Sequence, residues 1–233
     1  MEQKKSKDNV LYVKMFGSFS MIYAGESVLG NKVSETQFTY MMQILLHNRK
    51  NGVSRESLEE MLFGDRDIKN VHHTMQSVIY NAKNKLRKAG LPTANYIRME
   101  KGVFYWTDNI LVVEDAAEFD RLYKEAQQEK DINAKLQILL EACHCYTGEF
   151  LSMYAGVMWA AAEARRYRKQ FCQCVEEAAE ILRNRQDYLQ LEQLGTYASG
   201  IAPFSDWESL TMEALIGMGR YEEAGSLYAE TVD

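Results

Sequence analysis

Residues 70–90 read NVHHTMQSVIYNAKNKLRKAG, and this stretch decides how the first half of the chain folds. Val71, Met75, Val78, Ile79, Ala82, Leu86 and Ala89 recur at helical spacing. At 100° per residue they fall within roughly 90° of arc, a single core-facing stripe. Gly90-Leu91-Pro92 ends the helix, because glycine accepts the left-handed position after a helix and proline cannot continue one. A helix from about Asn70 to Ala89 follows. Its opposite side carries His73, Gln76, Ser77, Tyr80, Asn84, Arg87 and Lys88, with Lys83 and Lys85 flanking them. Asn and Gln pair with adenine edges, Arg with guanine, and Lys with phosphates, so this face has the chemistry of a helix that enters the major groove. The plainer reading of the same face is a solvated polar surface. His72 sits at the border of the face, 100° away from His73, so the two histidines do not share a direction.

The flanks favour the groove reading. Downstream, Tyr96–Met99 and Val103–Trp106 are short β-prone runs around Glu100-Lys101-Gly102, a β-hairpin in which Gly102 supplies the positive φ of the turn. From Lys83 to Lys101 there are six Lys and Arg (83, 85, 87, 88, 98 and 101) against the single acid Glu100. Upstream, Leu11–Phe16 and Ser20–Tyr23 read as neighbouring strands joined through Gly17-Ser18. Ser34 reads as a helix N-cap with Gln37 completing a capping box, and Phe38, Met41, Met42, Leu45 and Leu46 carry that helix to His47. Ser54 caps the next helix, whose stripe is Leu58, Met61 and Leu62, and Gly64–Asp67 is a loop. Strands, three helices and a hairpin, with Arg98 and Lys101 on the hairpin, is the order of a winged helix.

From Glu114 onward strand signals vanish. Helices are predicted over 115–128, 132–145, 155–184, 187–199, 206–218 and 221–231, with Asp206 as the N-cap of its helix. Short loops between helices of this length, and pieces such as Gly217-x-Gly219-Arg220-Tyr221-x-x-Ala224, indicate helical-hairpin repeats.

Composition separates the two halves in the same place. The chain of 233 residues carries a net charge of −6, but residues 1–112 hold 16 Lys+Arg against 11 Asp+Glu, whereas residues 113–233 hold 11 against 22. A +5 half followed by a −11 half predicts two domains with different partners, 8–112 and 113–233. No stretch approaches twenty apolar residues and the charged start has no apolar h-region, so neither a membrane span nor a secretory signal is expected. Cys143-His-Cys145 and Cys172-Gln-Cys174 lie in helical sequence, where residues two apart point about 200° apart. They are expected to be reduced thiols of a cytoplasmic protein, not metal ligands. No phosphate loop, nucleophile elbow, zinc-protease motif or nucleotide fingerprint occurs, so the reading is of a non-enzyme without cofactors.

On these residues the chain resembles the SARP (antibiotic regulatory protein) family. The first 110 residues resemble its OmpR-type winged helix through Phe16-Gly-Ser-Phe19, the helix Glu35–His47, Val53-Ser-Arg-Glu56-x-Leu58, Leu86-Arg-Lys88, the wing Gly102–Tyr105, and Glu114-Asp115 ahead of Phe119. Residues 115–233 resemble its bacterial transcriptional activator domain through Tyr146–Leu151, Trp159 with Arg165-Arg166, Pro203–Glu208 and Gly219–Ala224. The resemblance implies an α+β winged helix followed by an all-α, tetratricopeptide-like repeat domain. It implies binding to direct-repeat sites on double-stranded DNA, commonly as a homodimer, with recruitment of RNA polymerase. The third helix would lie in the major groove and the wing on the backbone or minor groove. Asn81, Ala82 and Asn84 stand where the family carries more Arg and Leu, which implies either weaker binding or a different operator sequence. The DNA contacts expected are His73, Gln76, Ser77, Tyr80, Lys83, Asn84, Arg87, Lys88, Arg98 and Lys101. The competing reading is a helical-repeat interaction scaffold whose winged helix no longer binds DNA.

Overall fold

The computed structural model describes residues 10–30, 36–64, 70–92, 95–107, 109–154, 157–203 and 206–232. The chain separates into two compact units, one through Glu114 and one from Asp115.

The first unit runs β1 (Val10–Lys14), β2 (Ser20–Tyr23), β3 (Glu26–Ser27), α1 (Gln37–His47), β4 (Val53–Ser54), α2 (Arg55–Phe63), α3 (Val71–Lys88), β5 (Ile97–Glu100), β6 (Val103–Trp106) and β7 (Leu111–Glu114). One sheet has the order β3-β2-β1-β7 and the other β4-β6-β5. β1 pairs antiparallel with β2, Leu11 opposite Tyr23, and parallel with β7, Val10 opposite Leu111. Period-2 alternation buries Leu11, Val13, Met21 and Tyr23 and leaves Tyr12 and Ile22 exposed. α1 is the core element: Met41, Met42, Ile44, Leu45 and Leu46 are almost wholly buried, each contributing about 1.5–3 kcal/mol of burial. This is the winged-helix order expected.

Several details differ from the sequence expectation. α1 begins at Gln37 and its cap is Thr36, whose side chain accepts the Thr39 N–H at 3.2 Å; Ser34 and Glu35 lie outside the described residues. Residues 65–67 of the expected loop also lie outside them. β3, β4 and β7 were not anticipated. Ser54 has two tasks: it pairs with Val103 in β6, and its hydroxyl accepts the Ser57 N–H at 3.1 Å to cap α2. Gly52, just before β4, sits at φ +72°, and a Cβ there would lie 2.5 Å from Tyr105 Cε1, so only glycine lets this turn pass under the wing. Glu114, the last residue of β7, is buried; its carboxylate accepts from Arg49 and lies 3.3 Å from His47 Nδ1, and Arg49 also donates to Leu46 O at 3.0 Å.

The second unit comprises α4 (Asp115–Gln128), α5 (Ile132–Cys145), a 3₁₀ turn at Ser152–Tyr154, α6 (Met158–Arg185), α7 (Tyr188–Ile201), α8 (Glu208–Gly217) and α9 (Tyr221–Val232). Each helix packs on the next in sequence, the nearest-neighbour pattern of repeat proteins. Its core is aromatic: Phe171 stacks on Tyr146 at 4.6 Å between centroids, Phe150 stacks on Tyr167 at 5.2 Å, and Phe119 contacts both tyrosines. The Tyr167 hydroxyl donates to Asp120 at 3.1 Å, and Arg166 holds the same carboxylate at 2.6 Å. Asp206 does not cap α8. It adopts φ 55° one residue too early, and the N-cap position falls on Trp207, which makes no side-chain cap bond.

Candidate nucleic-acid interface

α3 is built to present one face. The Asn70 side chain accepts the His73 N–H at 3.0 Å and starts the helix. Met75, Val78, Ala82 and Leu86 turn inward and are buried, while Val71, Ile79 and Ala89 sit half-buried at the margin of the stripe. That arrangement forces His73, Gln76, Ser77, Tyr80, Lys83, Arg87 and Lys88 outward, all exposed, with Asn84 half-buried among them. Tyr80 is 68% exposed, its ring presented to solvent on this face.

Local bonds set what each group has left to offer. The Ser77 hydroxyl donates to His73 O at 3.1 Å, so its proton is used by the helix and its lone pairs remain. Arg87 gives one N–H to Asn84 Oδ1 at 3.2 Å and keeps its other donors. Beside this face the N-terminus of α1 closes an open groove of about 620 Å³, lined by Thr36, Phe38, Tyr80, Asn84, Lys85 and Lys88 among others. The Lys85 ammonium lies 4.7 Å over the Phe38 ring, a cation–π contact that steadies the positive charge at the rim.

The wing is the β5–β6 hairpin, with Arg98 opposite Tyr105 and Glu100 opposite Val103. Sequence reasoning gave the positive φ of its turn to Gly102 alone; in the structure Lys101 (φ 48°) and Gly102 (φ 81°) both have it, the signature of a type I′ turn. Arg98 pairs with Glu100 at 3.0 Å, both about half exposed, so its charge is partly answered within the wing. Lys101, at the tip, has no ion-pair partner among the described residues.

Two residues outside the expected set tie these parts together. The Arg55 N–H donates to Gly102 O at 2.8 Å, and its guanidinium pairs with Glu59 at 2.8 Å and touches His72 Nδ1. His72 in turn lies 3.2 Å from the carboxamide of Gln76. Wing tip, α2 and α3 therefore meet at Arg55. The pairing spans seventeen residues of sequence and no local periodicity announces it.

Elsewhere, among the described residues no group of three or more His, Cys, Asp or Glu is placed to hold a metal ion, and no helix is long and apolar enough to cross a membrane. The four cysteines form no disulfide among the described residues; Cys143 and Cys174 are buried, Cys145 and Cys172 half-buried. Burial pushes the Cys145 and Cys174 thiols up to about 12, with Asp115 adding to the effect at Cys145 and Glu177 at Cys174.

Residues 114–233 match the family model described as bacterial transcriptional activator domain. No curated protein sequence matches the chain significantly. Among solved structures, that of Mycobacterium tuberculosis EmbR in complex with low affinity phosphopeptide is similar, with a TM-score of 0.67 at 15% identity over 94% of this chain. At that identity the likeness is one of fold. The chain corresponds to 58% of the length of that solved chain.

Proposed function

The chain belongs to the bacterial transcriptional activator domain family, and from that premise we propose that it is a sequence-specific, double-stranded-DNA-binding transcription regulator of the SARP type, acting as an activator. The DNA-binding domain is residues 8–112 and the activator domain residues 113–233. α3 reads base edges in the major groove through His73, Gln76, Ser77, Tyr80, Asn84 and Arg87, while Lys83 and Lys88 hold phosphates. Arg98 and Lys101 on the wing contact the backbone or the minor groove. The protein is cytoplasmic, binds its operator as a homodimer, meets RNA polymerase through the acidic helical unit, and performs no enzymatic chemistry.

One observation carries this reading: the outward face of an 18-residue helix is polar, exposed and flanked by cations that have no ion-pair partner among the described residues, while its other face is core. Such a helix is about 27 Å long, and a major groove about 12 Å wide accepts it. The −11 charge of residues 113–233 disfavours DNA there, which leaves the +5 half to approach the phosphates.

Fluorescence anisotropy with a labelled duplex from the chain's own upstream region, at low and moderate salt and against a scrambled duplex, tests the proposal. Tight, salt-sensitive binding that prefers the native duplex is expected. Absence of binding at low salt overturns it in favour of the interaction scaffold, the reading that the Asn81, Ala82 and Asn84 departures motivate.

A further inference from the structure

We infer that His72 is a positioning residue that fixes Gln76 as a hydrogen-bond donor toward the groove, so that Gln76 selects guanine where a freely turning carboxamide would accept adenine. The inference rests on the DNA-binding reading above.

The relay starts at Arg55. A guanidinium carries only donors, and His72 Nδ1 is the ring atom it meets. Nδ1 must therefore be the unprotonated, accepting nitrogen, and the neutral ring carries its proton on Nε2. Arg55 is itself held, by Glu59 at 2.8 Å through the side chain and by Gly102 O at 2.8 Å through the backbone, so it imposes this choice. Nε2–H now faces the carboxamide of Gln76, one helical turn away at 3.2 Å. Two N–H groups cannot bond to each other. The carboxamide accordingly turns half a revolution from the placement that points its nitrogen at the ring, and its oxygen accepts from Nε2.

The consequence lies on the far side of Gln76. The oxygen keeps a second lone pair but is turned toward His72, so the end of the exposed side chain that faces away from the ring is its NH₂ group. Bidentate pairing with adenine needs the amide oxygen to accept from N6 while the nitrogen donates to N7. Guanine offers N7 and O6, both acceptors, to the same NH₂ group, and cytosine presents its own donor and is refused. The relay Glu59–Arg55–His72–Gln76 thus converts an ambiguous reader into a donor, and because Arg55 also holds the wing tip, that setting is tied to the placement of the wing.

Two measurements on the full chain test this. Long-range proton–nitrogen NMR of the free protein reads the His72 ring directly; an Nε2–H tautomer is expected, relaxing to a mixture in Arg55→Met. Selection from a randomised duplex pool then compares the parent with His72→Ala at one salt concentration. At the position whose preference Gln76→Ala erases, the parent is expected to enrich guanine about tenfold over adenine, of the order of one good base contact. His72→Ala is expected to lose that preference there alone, with helical circular dichroism and salt dependence unchanged. An Nδ1–H tautomer in the free chain, or the same base selected as strongly by His72→Ala, overturns the inference. A parent that enriches no sequence overturns the DNA-binding reading and the base selection with it, while the tautomer stands or falls on its own measurement.

Discussion

Lys88→Ala should flatten the salt dependence of DNA binding by about one phosphate's worth. Of the cations on α3 and the wing, Arg87 shares a donor with Asn84, Arg98 pairs with Glu100, and Lys85 rests over Phe38. Lys83, Lys88 and Lys101 remain, exposed and with no ion-pair partner among the described residues. Each ammonium that neutralises a phosphate adds about 0.9 to the slope of log affinity against log salt, so three give a slope of about −2.7. Between roughly 50 and 200 mM salt that amounts to a loss of about 40-fold in affinity. Removing Lys88 leaves a slope of about −1.8 and a loss of about 12-fold over the same range. The assay is an anisotropy titration at four or more salt concentrations, with the scrambled duplex as reference. Because a phosphate contact carries no base information, native and scrambled duplexes should weaken together. A Lys88→Ala slope equal to the parent's would refute the placement of Lys88 on a phosphate, and a flat parental slope would refute the whole electrostatic argument.

Three further outcomes follow from the geometry. Gly52→Ala puts a Cβ 2.5 Å from Tyr105 Cε1 on a φ of +72°; a loss of at least about 1–2 kcal/mol is expected in urea unfolding, and a neutral result would mean the turn is not held against β6. Phe171→Ala removes a wholly buried ring stacked on Tyr146 and should cost about 3–5 kcal/mol, a melting shift that a surface ring would not produce. The buried thiols give a pH dependence whose sign is fixed. Burial raises Cys145 and Cys174 to about 12 in the folded chain, above the roughly 8.5 of an unfolded thiol. Their contribution is therefore complete below about pH 8.5 and is lost progressively up to about 12, as the unfolded state ionises first. Stability that rises across that window, or rapid alkylation of the buried Cys174 in the native state at pH 8, would contradict this account.

What was legible in the sequence divides along a physical line. Local periodicity carried the helices: the stripe Met75, Val78, Ala82, Leu86 gave the inward side of α3, and with it the outward residues, while α4 and α5 fall on the predicted spans 115–128 and 132–145. Pairings between distant residues left little trace. β7 is three apolar residues ahead of Glu114, a run that becomes a strand only because Leu11 and Tyr12, a hundred positions earlier, lie beside Val112 and Val113. β4 is two residues long and hid inside a helix-start signal, because Ser54 serves both as strand and as cap. Asp206 looked like a cap because its residue type favours one, but the backbone turns left-handed there and the helix begins later. At the candidate site the same division holds. The face of α3 was readable at 100° per residue, whereas the contact between Arg55 and His72 depends on how α2 and α3 pack, and no spacing rule encodes that.

The parallel pairing of β1 with β7 has a mechanical consequence. Val10 lies beside Leu111 and Val13 beside Glu114, so the chain enters the sheet at one end of this strand pair and leaves it at the other, passing into α4 with no residue between. A tug applied through the flanking chain pulls the two neighbouring strands in opposite directions along their length. The ladder bonds, which run across the strands, are then loaded in shear and must give way together. Among the described residues the helices beyond Asp115, each packed mainly on its neighbours, form no such strand pair, and they yield one helix at a time. Under tension the helical unit unravels first, and the unit that carries α3 is the last to let go.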